Sequence, residues 1–137
     1  MSTTNGSSAY DPFSNIDPRE LQARVEAASP NELDSLSFGV IRLDDADNVI
    51  FFSRTEARQS GFGDRTAVGK KFWTELAPCM GTPEFLQRLQ QAKRAGTLDL
   101  TFEQIGDFDD AERQLHVRMI AASQNGVWVF IRRPEAR

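Results

Sequence analysis

A chain of 137 residues that is 39% hydrophobic and 26% charged has the length of one compact domain with a sizeable core. Its 16 basic and 20 acidic residues leave a formal charge of -4 with neither sign gathered into a long block, which argues against a nucleic-acid or anionic-membrane surface. One cysteine cannot make an internal disulfide, the N-terminus lacks the basic start and apolar run of a secretion signal, and no stretch approaches the roughly eighteen apolar residues of a membrane span, so a reduced, soluble, cytoplasmic protein is expected.

Residues 1 to about 15 are rich in Ser, Thr, Asn and Gly and offer little apolar surface to offset the entropy of ordering, so they read as a flexible arm. Two helix starts of one design follow. In "DPRE" Asp17 is the cap, Pro18 opens the first turn and Glu20 follows; in "SPNE" the same roles fall to Ser29, Pro30 and Glu32, each a capping box with a first-turn proline. Leu21, Val25 and Ala28 share one helical face. These two short amphipathic helices must cover something.

From Phe38 the period changes. "FGVIRL" and "NVIFF" are β-branched and apolar, and the Asp/Asn-rich "DDADN" between them predicts a hairpin. Short helices and loops are expected after Phe52. A convincing helix runs from its cap Thr82 through Pro83 to about Ala95, with Phe85, Leu86 and Leu89 on one stripe and Gly96 as its stop. Three strands close the chain, in "LDLTFEQI", "RQLHVRMIA" and "GVWVFIRR". The order predicts an α+β domain with an antiparallel sheet.

Val127 to Ile131 are apolar on both parities, so both faces of the last strand should be buried: one under the middle helices, the other under the N-terminal pair. "QLHVRM" alternates instead, turning Leu115, Val117 and Met119 inward and His116 outward. With one His and one Cys a zinc site has almost no support, and no metal is expected. Cys79, taken alone, reads as a small buried apolar residue, and Glu56 in "TEAR" as an ordinary solvated helix turn.

Two strands, short helices, a connecting helix and three strands is the order of a PAS domain. The segments "LDSLSFGVIRLDDADNVIFF", "VGKKFW", "APCMGTPEF", "FLQRLQQAKRAGTLDLTFE" and "VWVFIRR" go further and resemble the photoactive yellow protein family of bacterial blue-light receptors, over about three quarters of the chain. "APC" followed by "PEF" is the most specific part, because a generic PAS domain has no reason to hold a cysteine there.

The resemblance implies a PAS fold: a five-stranded antiparallel sheet with short helices on one face and an N-terminal helical cap on the other. Residues 1–30 would be arm and cap, and 31–137 the photosensory domain. It implies 4-hydroxycinnamic acid (p-coumaric acid) as cofactor, held as a thioester on Cys79, with Phe52, Glu56, Ser60, Phe62, Phe72 and Ala77 around it. A thiolate is nucleophilic enough near neutral pH to attack an activated acyl donor. Glu56 would be the buried acid whose pKa, raised by desolvation and by a neighbouring anion, lets it give a proton to the phenolate after isomerisation. That step would leave an uncompensated buried carboxylate, whose cost would loosen the cap.

The chain departs from the family pattern in places. Phe52 stands where a tyrosine usually donates to the phenolate, Ser60 replaces threonine, and Phe62 replaces an arginine, so a nearby cation is expected to be missing. Gln104, Gly106 and Asp110 stand in a loop expected to face the ring. No catalytic residue and no enzyme activity is expected, and a lone His116 on the outer face gives Cys79 no base. The expected partner is a separate, unidentified downstream signalling protein, with no nucleic acid, no membrane, and a monomer or weak dimer. The alternative is a PAS interaction module with no chromophore or with another ligand.

Overall fold

The computed structural model describes residues 10–106 and 110–133, without the side chain of Cys79. Helices α1 (Pro18–Ala27) and α2 (Pro30–Asp34) precede the hairpin of β1 (Gly39–Leu43) and β2 (Val49–Phe52). Then come α3 (Arg54–Ser60), a π-helical turn at Phe72–Leu76, a 3-10 turn at Pro78–Met80, α4 (Pro83–Ala95), β3 (Asp99–Ile105), β4 (Gln114–Ala121) and β5 (Val127–Arg132). The strands form one antiparallel sheet in the order β2-β1-β5-β4-β3, so the last strand of the chain is the middle of the sheet.

That position explains why β5 is apolar throughout. Val127, Val129 and Ile131 pack into a core with Ile41, Leu43, Phe72, Trp73, Met80, Leu89 and Met119, beneath the middle helices. Trp128 and Phe130, one residue out of phase, enter a second core with Leu21, Val25, Leu33, Leu36 and Phe38. Strand alternation thus divides one apolar run between two layers. The expected fold class is the observed one.

Local chemistry starts and stops the elements largely as expected. Ser29 and Glu32 form a reciprocal capping box, and Thr82 accepts from the Phe85 N–H at the start of α4. Gly96, at φ 71°, ends α4 in the left-handed conformation. The N-terminus of α1 differs: Asp17 accepts from the Arg19 N–H, while Glu20 turns outward to Arg24 at 3.1 Å, so no box closes there.

The arm is a second difference. Residues 1–9 lie outside the described residues, but from Tyr10 the chain is docked. Arg118, 4% exposed, donates from Nη1 to the Pro12 carbonyl and from Nη2 to that of Ile16, and pairs with Asp99 at 2.9 Å. A charged residue at an outward strand position recruits backbone carbonyls, which supply the polar partners its burial requires. Glu26 of α1 adds a second tie, accepting from both the Ser123 N–H and the Trp128 indole N–H at 2.9 Å. His116 sits half-buried beside Glu103 at 3.6 Å, on a pairing position opposite it.

Leu21 is fully buried in the second core. Leu21→Ala should therefore cost about 2–5 kcal/mol in urea unfolding. Removing residues 1–28 should make Trp128 fluorescence accessible to a soluble quencher. Unchanged quenching would show that the N-terminal helices do not cover this face in solution.

Candidate ligand-binding cavity

The α3 segment is placed by a serine with two partners. Ser53, fully buried, accepts from the Glu56 N–H as helix cap and from the Val40 N–H of β1, both at 3.1 Å, which fixes the helix start against the sheet. Thr55 donates to the Leu36 carbonyl at 2.6 Å, and the Arg54 N–H to Asp34 at 2.8 Å. In sequence Ser53 and Glu56 have capping-box spacing, yet the Glu56 side chain does not return to the cap. It turns into the protein.

There Glu56, 4% exposed, meets Arg133 at the end of β5. The two guanidinium nitrogens donate to the two carboxylate oxygens at 2.9 and 2.8 Å, a bidentate pair with both side chains 5% exposed. Gly39 of β1 makes room for it, since a Cβ at that position would collide with Glu56 Oε1. The expectation that a nearby cation is missing is corrected: Arg133, just past the end of β5, supplies one in place of a residue at position 62. Arg133 has the parity of Val127, Val129 and Ile131, and that alternation is the signal that could have found it.

The pair lines a cavity of ≈ 400 Å³, within the usual size of small-molecule sites. Phe52, Glu56, Ser60, Phe62, Phe72 and Ala77 all line it, so the structure brings the expected residues together. Ile41, Leu76, Met80, Leu115 and Ile131 extend the apolar walls, and none of these was named as a site residue from sequence. Phe52 and Phe62 pack with ring centroids 5.6 Å apart. Ser60 Oγ accepts from the Phe62 N–H at 3.2 Å, and its own O–H remains a donor. Gly61, at φ 86°, ends α3 and allows Phe62 to fold back.

The π-helical turn and the 3-10 turn bring Phe72, Leu76, Ala77, Pro78 and Met80 to the cavity wall. Cys79 belongs to that 3-10 turn, between two lining residues, while its side chain lies outside the described structure. Of the loop positions expected to face the ring, only Gly106 lines this cavity. Gln104 borders a separate groove with Phe85 and Phe102, and Asp110 instead pairs with Arg113 at 3.6 Å. Tyr10, the only tyrosine, packs on the cap-side core with Arg24 over its ring. Among the described residues no group of three or more His, Cys, Asp or Glu could hold a metal ion.

A largely apolar cavity with Glu56, Ser60 and Arg133 as polar side chains on its wall has the chemistry to take an aromatic acyl group carrying a hydroxyl.

Gly39→Ala should cost about 1–3 kcal/mol, because the added methyl must displace a buried, paired carboxylate. In a Glu56→Ala background the collision vanishes, so the same substitution should cost much less. Equal costs in the two backgrounds, by denaturant unfolding, would show that Glu56 does not occupy this site.

No family model matches the chain. Photoactive yellow protein of Rhodothalassium salexigens is 29% identical over 103 residues, which span 74% of this chain and 82% of that protein. The crystal structure of the photoactive yellow protein domain from the sensor histidine kinase Ppr of Rhodospirillum centenum matches with a TM-score of 0.70 at 32% identity, covering 81% of this chain and 98% of that domain. A PAS domain from Colwellia psychrerythraea matches with a TM-score of 0.58 at 14% identity, over 86% of this chain and 99% of that one, a likeness of fold alone. Fold, cavity and the 32% identity across nearly the whole of a solved domain lead to one conclusion: the chain is a photosensory PAS domain and belongs to the photoactive yellow protein family, a family of light receptors and not of enzymes.

Proposed function

We propose that this protein is a blue-light receptor that carries a 4-hydroxycinnamoyl group as a thioester on Cys79. The observation that supports this best is a cysteine on the turn between two residues lining a cavity that also holds the Glu56–Arg133 pair, in a chain of this family. When bound, the group supplies light absorption and trans-to-cis isomerisation about its conjugated double bond.

The chain's own residues do the rest. Phe52, Phe62 and Phe72 exclude water and hold an aromatic ring flat between apolar walls. Ala77 leaves space beside the attachment turn, and Ser60 offers a hydroxyl donor on the cavity wall. Glu56 holds a proton at a carboxyl oxygen in the dark and releases it after illumination. Residues 1–30 act as arm and cap on the photosensory residues 31–137. β5 joins the two sides, because Arg133 grips Glu56 in the cavity while the adjacent Arg132 lies over the Phe13 ring of the cap segment at 4.7 Å. A change in the charge of Glu56 therefore has a short route to the cap.

The response passes to a separate signalling protein in the cytoplasm. The similar domain from Rhodospirillum centenum belongs to a sensor histidine kinase, which supports a role in signalling. No helix among the described residues is long and apolar enough to cross a membrane. The absent tyrosine at Phe52 favours one rival, a PAS module with another ligand or none. Mixing the protein with an activated 4-hydroxycinnamoyl donor decides between them, by intact mass and visible absorption. A stable coloured adduct supports the receptor, and no reaction supports the module.

Cys79→Ser should abolish both the mass increment and the colour while leaving the far-ultraviolet dichroism unchanged. A serine variant that still turns yellow with a covalent increment would refute the thioester.

Phe52→Tyr should add a second donor to a bound phenolate. A charge-assisted hydrogen bond contributes about 1.5–3 kcal/mol, so the chromophore pKa should fall by about one unit or more. The ionised absorption band should move toward the blue, because charge held at the phenolate oxygen spreads less along the conjugated chain. A titration that superimposes on wild type would show that position 52 does not face the phenolate.

A further inference from the structure

A second cleft shares Phe52 with the cavity. It measures ≈ 720 Å³ and is lined by α3 on one hand and by the loop at 63–68 on the other. The loop is pinned at both ends, by the Gly63 N–H donating to the Ala57 carbonyl of α3 at 2.9 Å and the Gly69 N–H to the Val49 carbonyl of β2 at 2.8 Å. Backbone bonds thus hold the cleft in shape.

Three arginines line it, Arg54 and Arg58 from α3 and Arg65 from the loop, against one described carboxylate, Asp64. All four residues are exposed. Arg54 and Arg58 stand four positions apart on one helical face, a spacing at which like charges repel. Arg54 reaches Asp34 at 3.7 Å with its side chain 86% exposed, a contact that water screens. The Arg58 side chain has no hydrogen bond or ion pair among the described residues. Arg65 lies over the Phe62 ring at 5.0 Å, and that ring packs on Phe52. Val68, 53% exposed, adds an apolar patch beside the charges.

We propose that this cleft docks a partner protein by an extended acidic segment, whose carboxylates meet Arg54 and Arg58 while an apolar side chain rests on Val68. Charge complementarity selects the occupant, since guanidinium groups pair with carboxylates in a planar, doubly hydrogen-bonded geometry. Positions four apart on a helix are separated by about 6 Å along its axis, and alternate residues of an extended chain by about 6.8 Å, so carboxylates two residues apart can reach both arginines. Nucleic acid and anionic membrane fit less well. Each engages a longer run of cations than three, and Asp64 sits among these.

Phe52 couples the two sites. A group packed against this ring in the cavity restricts where the ring can sit at the cleft, so filling one site changes affinity at the other. The coupling, though not the docking, rests on the reading of the cavity as a hydroxycinnamoyl site.

A capped peptide containing Glu-Val-Glu, titrated into the unloaded full-length protein and followed by amide NMR shifts, tests the docking. The shifts should fall on α3 and residues 63–68, and the same peptide with Gln for Glu should bind far more weakly. Arg58→Glu should weaken the acidic peptide about five- to tenfold, whereas Arg88→Glu on α4 should leave its affinity unchanged. No binding at millimolar peptide, shifts confined to other elements, equal affinity for the Gln peptide, or an unaffected Arg58→Glu overturns the proposal. The two-peptide comparison decides alone if Arg58→Glu does not fold. A single-stranded oligonucleotide or phosphatidylserine vesicles binding these amides more tightly than the peptide overturn the choice of occupant. In protein loaded from an activated 4-hydroxycinnamoyl donor, the peptide's affinity should differ between dark and light by at least about fivefold. Equal affinities overturn the coupling. A protein that accepts no acyl group refutes the hydroxycinnamoyl reading, while the unloaded titration still decides the docking.

Discussion

A strand that is apolar on both faces must be covered twice, and β5 is such a strand at the centre of the sheet. Its two alternating sets of side chains recruit the middle helices to one side and the N-terminal helices to the other. The cavity exists because the middle layer is built from short, irregular turns. A long regular helix would present a continuous ridge to the sheet; a π-helical turn, a 3-10 turn and a two-turn α3 leave a slot between their ends.

The end of β5 is where the two layers become one device. Successive strand residues point to opposite faces, so Arg132 reaches the cap segment and Arg133 reaches the cavity. Three buried charges depend on partners supplied from elsewhere in the chain: Arg118 on the carbonyls of the arm, Glu56 on β5, and Arg133 on α3. Each such pairing converts a costly buried charge into a contact between distant segments. The polar groups here specify which elements meet, while the apolar cores supply most of the driving force.

Phe52 and Phe62, where the family resemblance implies a tyrosine and an arginine, pack ring against ring. The guanidinium at this cavity comes instead from Arg133, just past the end of β5, where it pairs with Glu56.

The order of elements, the hairpin at Asp44–Asn48, the caps at Ser29 and Thr82 and the stop at Gly96 were legible in sequence because each rests on contacts between residues a few positions apart. The double burial of β5 was legible too, since hydrophobicity on both parities is a one-dimensional pattern. Family likeness gathered Phe52, Glu56, Ser60, Phe62, Phe72 and Ala77 around one site. What a linear pattern could not carry was the partner of a charge. Nothing local tells Glu56 to abandon its helix cap for an arginine 77 residues away, or tells Arg118 to bind an arm 102 residues before it. Those pairings are decided by which backbone positions the packed sheet brings within about 3 Å, by the bare Cα of Gly39 that makes room for the carboxylate, and by the desolvation that leaves a buried charge no stable alternative to its partner.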